Sequence, residues 1–62
     1  MKCLFVDSEE GETLLVRDLD IIPRKGEEVS FISKDRKDER EIEGEVTSVH
    51  YDLDYEKITI KQ

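Results

Sequence analysis

The chain contains no alanine, no asparagine and no tryptophan, and only one cysteine, one proline and one histidine. Each shortage excludes something. Alanine is the strongest helix former, and its absence beside fourteen Val, Ile and Thr residues turns the balance towards sheet. One thiol makes no internal disulfide, so no oxidising compartment is implied. One Cys and one His leave no ligand set for zinc. The three glycines, Gly11, Gly26 and Gly44, are isolated, so no glycine-rich phosphate cradle exists. The apolar run near the N-terminus, Cys3 to Val6, is four residues long, too short for a signal-peptide core or a membrane span. The expectation is a cytoplasmic protein.

What is present is charge. Seventeen acidic residues against ten Lys and Arg give a net charge of −7, and charged residues make up 44% of the chain. A field of that sign repels phosphate backbones, whose recognition rests on Lys and Arg displacing counterions, so nucleic acid is disfavoured as a partner. It repels anionic membranes as well. It suits a basic protein partner, or serves solubility alone. Sixty-two residues make a single domain, 1–62. A chain of this size buries only about 60% of the surface its unfolded form exposes. Its stability should be about 3–5 kcal/mol, which leaves little room for a core and a buried catalytic pocket together. The apolar residues nonetheless cluster at strand-like intervals, in Cys3–Val6, Leu14–Val16, Val29–Ile32 and Ile58–Ile60. That clustering predicts a folded domain rather than a disordered chain.

Residues 2–7 read as a first strand, with Cys3 and Phe5 on one face and Leu4 and Val6 on the other. Ser8-Glu9-Glu10-Gly11 is a turn whose glycine supplies positive φ, and Thr13–Arg17 is the returning strand. Asp18–Lys25 is a connector that should tuck Leu19, Ile21 and Ile22 inward before Pro23 interrupts any ladder. Pro23-Arg24-Lys25-Gly26 is a turn, and Glu28–Ser33 a third strand. Lys34–Glu41 is almost wholly charged and lacks an amphipathic stripe, so a solvated hairpin tip is expected there. Ile42–Tyr51 is a long fourth strand. Val46 and Val49 are three residues apart, on opposite faces of a regular strand; a bulge near Thr47-Ser48 would bring both to the core. Asp52–Tyr55 is a turn, and Glu56–Lys61 a last strand with Ile58 and Ile60 inward.

Three of these runs carry a resemblance: Gly26-Glu27-x-Val29, Gly44-x-Val46-x-x-Val49 and Ile58-x-Ile60. Over about residues 26–61 the layout resembles SH3-like barrels of the KOW type, and is similar to small phage and mobile-element proteins. The resemblance implies an all-β fold, a small five-stranded SH3-like partly open barrel that binds a partner on its surface. KOW-type modules bind RNA or ribosomal and transcription proteins. The tips that should be basic and glycine-rich are here mixed or acidic, so RNA binding is not carried over.

The candidate chemistry is sparse. Cys3 sits in an apolar run and reads as a small core residue, not a nucleophile. His50, beside Tyr51, reads as an outward strand residue, not a general base. Asp52-x-Asp54-x-Glu56 alternates carboxylates but lacks the mid-loop glycine of a calcium loop, and reads as a turn. The sharpest feature is Glu39, Glu41, Glu43 and Glu45, which project from one face of an extended strand at a two-residue period. The stripe serves either as a docking row for Lys and Arg or as protection of an exposed strand. Tyr51 and Tyr55 flank the last turn, where aromatic residues can line a ligand groove or cap the core. The expectation is a non-enzymatic protein-interaction module without cofactor or metal, its partner-binding residues drawn from Glu39, Glu41, Glu43, Glu45, Tyr51 and Tyr55. One alternative is an acidic nucleic-acid mimic that inhibits a basic binding protein. Another is a structural subunit that forms a homo-oligomer through barrel edges.

Overall fold

The computed structural model describes residues 1–34 and 39–62. Its elements are β1 (Lys2–Asp7), β2 (Thr13–Asp18), β3 (Glu28–Lys34), β4 (Glu39–Tyr51) and β5 (Glu56–Lys61). They form one sheet in the order β2-β1-β5-β4-β3. The sheet curls strongly into a half-barrel, an all-β architecture compatible with the SH3-like barrel that the sequence resembles. Among the described residues no helix is long and apolar enough to cross a membrane.

Each hairpin follows from local chemistry. Gly11 adopts φ 71° and donates its N–H to Asp7 O at 2.9 Å, which closes the β1–β2 turn. The pairing then carries an irregularity: Phe5 opposes Leu15 but Val6 opposes Thr13, so Leu14 is an extra residue on β2 and is buried. The solvated tip expected over Lys34–Glu41 is corrected at both ends. Lys34 ends β3, Glu39–Glu41 already belong to β4, and residues 35–38 lie outside the described residues. In the connector, Leu19 and Ile22 pack against the core as expected, but Ile21 is 86% exposed. The chain bends at Asp20 and Ile21, and the bend leaves Ile21 outside while Leu19 before it and Ile22 after it pack inward.

The bulge in β4 lies where the valine spacing requires it. Val46 opposes Ile60, Ser48 opposes Thr59 and Val49 opposes Ile58, so Thr47 is the residue without a partner. Its hydroxyl donates to Thr59 O at 3.2 Å. Val46 is 1% exposed, whereas Val49 is only half-buried against the core. Upstream of the bulge, Gly44 stands where a Cβ would come within 2.8 Å of Lys61 O. Only a residue without a side chain lets β4 pass the end of β5 this closely.

β1 and β5 pair in parallel, Cys3 opposite Glu56 and Phe5 opposite Ile58, and so join the two ends of the described chain at the centre of the sheet. The curl brings the outer strands β2 and β3 into contact. There the buried Ser33 hydroxyl donates to Leu14 O at 2.7 Å. Inside lie Cys3, Phe5, Leu14, Ile42, Val46, Ile58 and Ile60. Phe5 meets Phe31 with ring centroids 5.2 Å apart at 47°, an arrangement aromatic pairs favour.

Truncating Val46 to Ala should cost about 1–3 kcal/mol in a urea titration, and Val49→Ala less, in proportion to the smaller area it buries. Gly44→Ala should cost about 1–3 kcal/mol because the obstructing atom is backbone. An unchanged midpoint for Val46→Ala would overturn the register of β4.

Candidate functional site

The carboxylates of β4 keep the phase that the sequence implies. Ile42 and Val46 face inward, so Glu39, Glu41, Glu43 and Glu45 share the outer face, and all four are exposed. Opposite them on β3 stand Lys34, Ile32, Ser30 and Glu28 in turn. Ile32 is 53% exposed, an apolar side chain among acids. Glu28 directly opposes Glu45, a like-charge cross-strand pair that works against the sheet. On its other side Glu45 opposes Lys61. Here the surface dips into an open depression of about 550 Å³, its walls including Glu28, Glu43 and Glu45. Gly44, which contributes no side chain, also lines it.

The tyrosines lie elsewhere. Tyr51 ends β4, six residues past Glu45 and thus roughly 20 Å along the strand. It is 70% exposed, while Tyr55 is half-buried in the following turn. The six expected partner-binding residues are therefore two surfaces, one at each end of β4. Tyr51 lines a second depression, of about 600 Å³, between the connector and the part of β4 beyond its bulge.

Cys3 and His50 take the places the sequence assigns them. Cys3 is fully buried in the core, and His50 is exposed opposite Lys57. Burial, and after it the nearby charge of Glu56, raise the Cys3 thiol above its ordinary pKa of 9.0. Its Sγ lies 3.6 Å from Met1 O, to which the thiol donates. Asp52 and Asp54 are exposed while Glu56 turns into the core, so these three carboxylates do not converge on one ion.

Glu56 is the residue that sequence reasoning missed. It is 1% exposed, and neither carboxylate oxygen has a hydrogen-bond partner among the described residues. The signal was available: Glu56 lies two and four residues before Ile58 and Ile60, in the phase that points inward. Across the sheet its row reads Arg17, Cys3, Glu56, Tyr51. Arg17 is exposed at the margin, and among the described residues no ion pair reaches the buried carboxylate.

Compared with protein-family models, with curated proteins and with solved structures, the chain matches none.

A buried polar group without a partner costs about 1–3 kcal/mol. Glu56→Met, which keeps the volume and removes both oxygens, should therefore raise the unfolding free energy by about that amount in a urea titration. A loss of stability would show that the carboxylate is held by interactions the fold does not reveal. The raised Cys3 pKa has its own sign. The folded state holds the thiol proton to higher pH than the unfolded chain does. That stability is fully present below the ordinary value of 9.0 and is lost as pH rises past it towards the folded value. Cys3→Val should flatten the alkaline limb of a stability-against-pH curve, and a limb identical to that of the unmodified chain would contradict the assignment.

Proposed function

We propose that this domain is a non-enzymatic protein-interaction module that engages a basic partner through the outer face of its β3–β4 ribbon. The observation that carries the reading is the Glu28–Glu45 pair beside an unbroken row of carboxylates. Two like charges set opposite each other lower stability in a domain that has little to spare. Edge protection needs only scattered charge, and one of these positions would serve it as well with Lys or Thr. A depression walled by Glu28, Glu43 and Glu45, with Lys61 also in its lining, suits the long side chain of a partner's Lys or Arg. Glu39 and Glu41 extend the same sign along the strand and would draw a basic surface into register.

Changing Glu41, Glu43 and Glu45 together to Gln preserves shape and removes three charges. The fold should survive, since exposed charges contribute little to stability. Binding to a basic partner isolated from the native host should weaken mainly through slower association, by roughly tenfold at low ionic strength. The remaining affinity should depend less on salt. Equal association rates for both forms at low salt would retire this face as the contact surface.

A further inference from the structure

The second depression lies at the other end of β4 and has the opposite character. Ile21, Ile22, Val49 and Tyr51 make its apolar lining, and Arg24 and Lys25 stand at its edge. Ile21 at 86% and Tyr51 at 70% exposure are large apolar side chains left open to water. The two cations sit on a fixed turn. Gly26 takes φ 93°, and the Arg24 backbone N–H donates to Glu27 Oε1 at 2.8 Å. Gly26 N–H donates to Val46 O and Val46 N–H to Glu27 O, each at 2.8 Å, which ties the turn to β4. In a chain of net charge −7, adjacent Arg and Lys beside an apolar hollow form a local exception. Asp20, which also lines the hollow, offsets one of the two charges.

The surface that complements this hollow is on the same molecule. The outer face of β3–β4 presents the exposed Ile32 directly across from Glu41, with Glu43 next in the row. Ile32 and Glu41 lie outside the depression that Glu43 and Glu45 wall, on a part of the face free to enter a hollow. We propose that the hollow receives the β3–β4 face of a second copy of this chain, Ile32 entering against Ile21 and Tyr51 while Glu41 and Glu43 meet Arg24 and Lys25. The two surfaces lie at opposite ends of β4, so one copy cannot satisfy itself. The contact is heterologous and propagates head to tail, into an open chain or a closed ring. Net charge opposes it at long range. Neighbouring copies, about 22 Å across their shorter dimensions, are separated by more than the Debye length of about 8 Å at physiological ionic strength. Salt therefore quenches the overall repulsion before it weakens pairs in direct contact. Association should be weakest at very low salt, strongest near physiological ionic strength, and partly retained at high salt through the apolar contact.

This inference shares the carboxylate face with the proposed partner reading, but its test turns on the hollow. Sedimentation of the intact chain should show the weight-average mass rising from 7.3 kDa and roughly doubling between about 10 μM and about 1 mM, the range suited to a small contact. Arg24→Glu with Lys25→Glu should stay monomeric, as should Glu41→Lys with Glu43→Lys. An equimolar mixture of the two variants should associate again, because each supplies the charge the other has reversed. All four positions are exposed, and circular dichroism checks that both variants fold. The proposal is overturned by an unmodified chain that stays at 7.3 kDa throughout, or by a mixture that remains monomeric. It is equally overturned if the Arg24/Lys25 variant associates as the unmodified chain does, which would place the contact on the β2 or β3 edge. Capture of a basic partner by that variant should be unaffected, so failure here leaves the partner reading standing on its own test.

Discussion

β4 has to serve two partners at once. Its first residues pair with β3 and its last with β5, and only around Glu45 does it have both neighbours. Thirteen residues of regular strand would run far beyond a barrel this small. The extra residue at Thr47 changes that. It bends the strand and resets its phase, so that Val46 faces Ile60 and Val49 faces Ile58 on the same side. The turn at 24–27 is then fastened to the bent strand at Val46 by two backbone hydrogen bonds. Remove the bulge, and the acidic face, the hollow and the half-barrel lose their common frame.

That bulge was legible because it is a local conflict. A valine three residues after a valine does not fit a regular strand, and the conflict has one inexpensive resolution. The β1–β2 hairpin was legible for a similar reason, since Gly11 at the end of an acidic turn announces positive φ. The phase of β5 followed from Ile58 and Ile60. The parallel pairing of β1 with β5 was not legible. Nothing in a six-residue strand with four apolar residues states which distant strand it will join, and closure of the sheet decides it. The start of β4 was misplaced for a different reason: a charged run reads as loop, yet Glu39–Glu41 are held in the ladder by β3 alone.

The candidate surfaces were half legible. The acidic row depends only on strand periodicity, which the sequence contains. The hollow depends on which of Leu19, Ile21 and Ile22 turns outward, and on the turn at 24–27 docking beside the bulge. Those are tertiary facts. They also explain why Tyr51 and Glu45, six residues apart on one strand, belong to different surfaces. Before the bulge, odd-numbered residues such as Glu45 face outward. After it, odd-numbered residues such as Val49 and Tyr51 take the inward phase.

Glu56 shows what such a frame tolerates. Its row lies at the end of the core, below Ile58 and Ile60, where Leu would fit the periodicity better. A buried carboxylate without a partner is a large cost for a domain whose whole stability is a few kcal/mol. The chain meets that cost because β1 and β4 flank the first residue of β5, with Cys3 on one side of Glu56 and Tyr51 on the other. The same rigidity that fixes the surfaces keeps Glu56 in place. A looser sheet would let β5 slip or fray at this end and carry the carboxylate out to solvent. Thus an arrangement that costs stability is also a sign that the strand register is held by the whole sheet rather than by any one side chain.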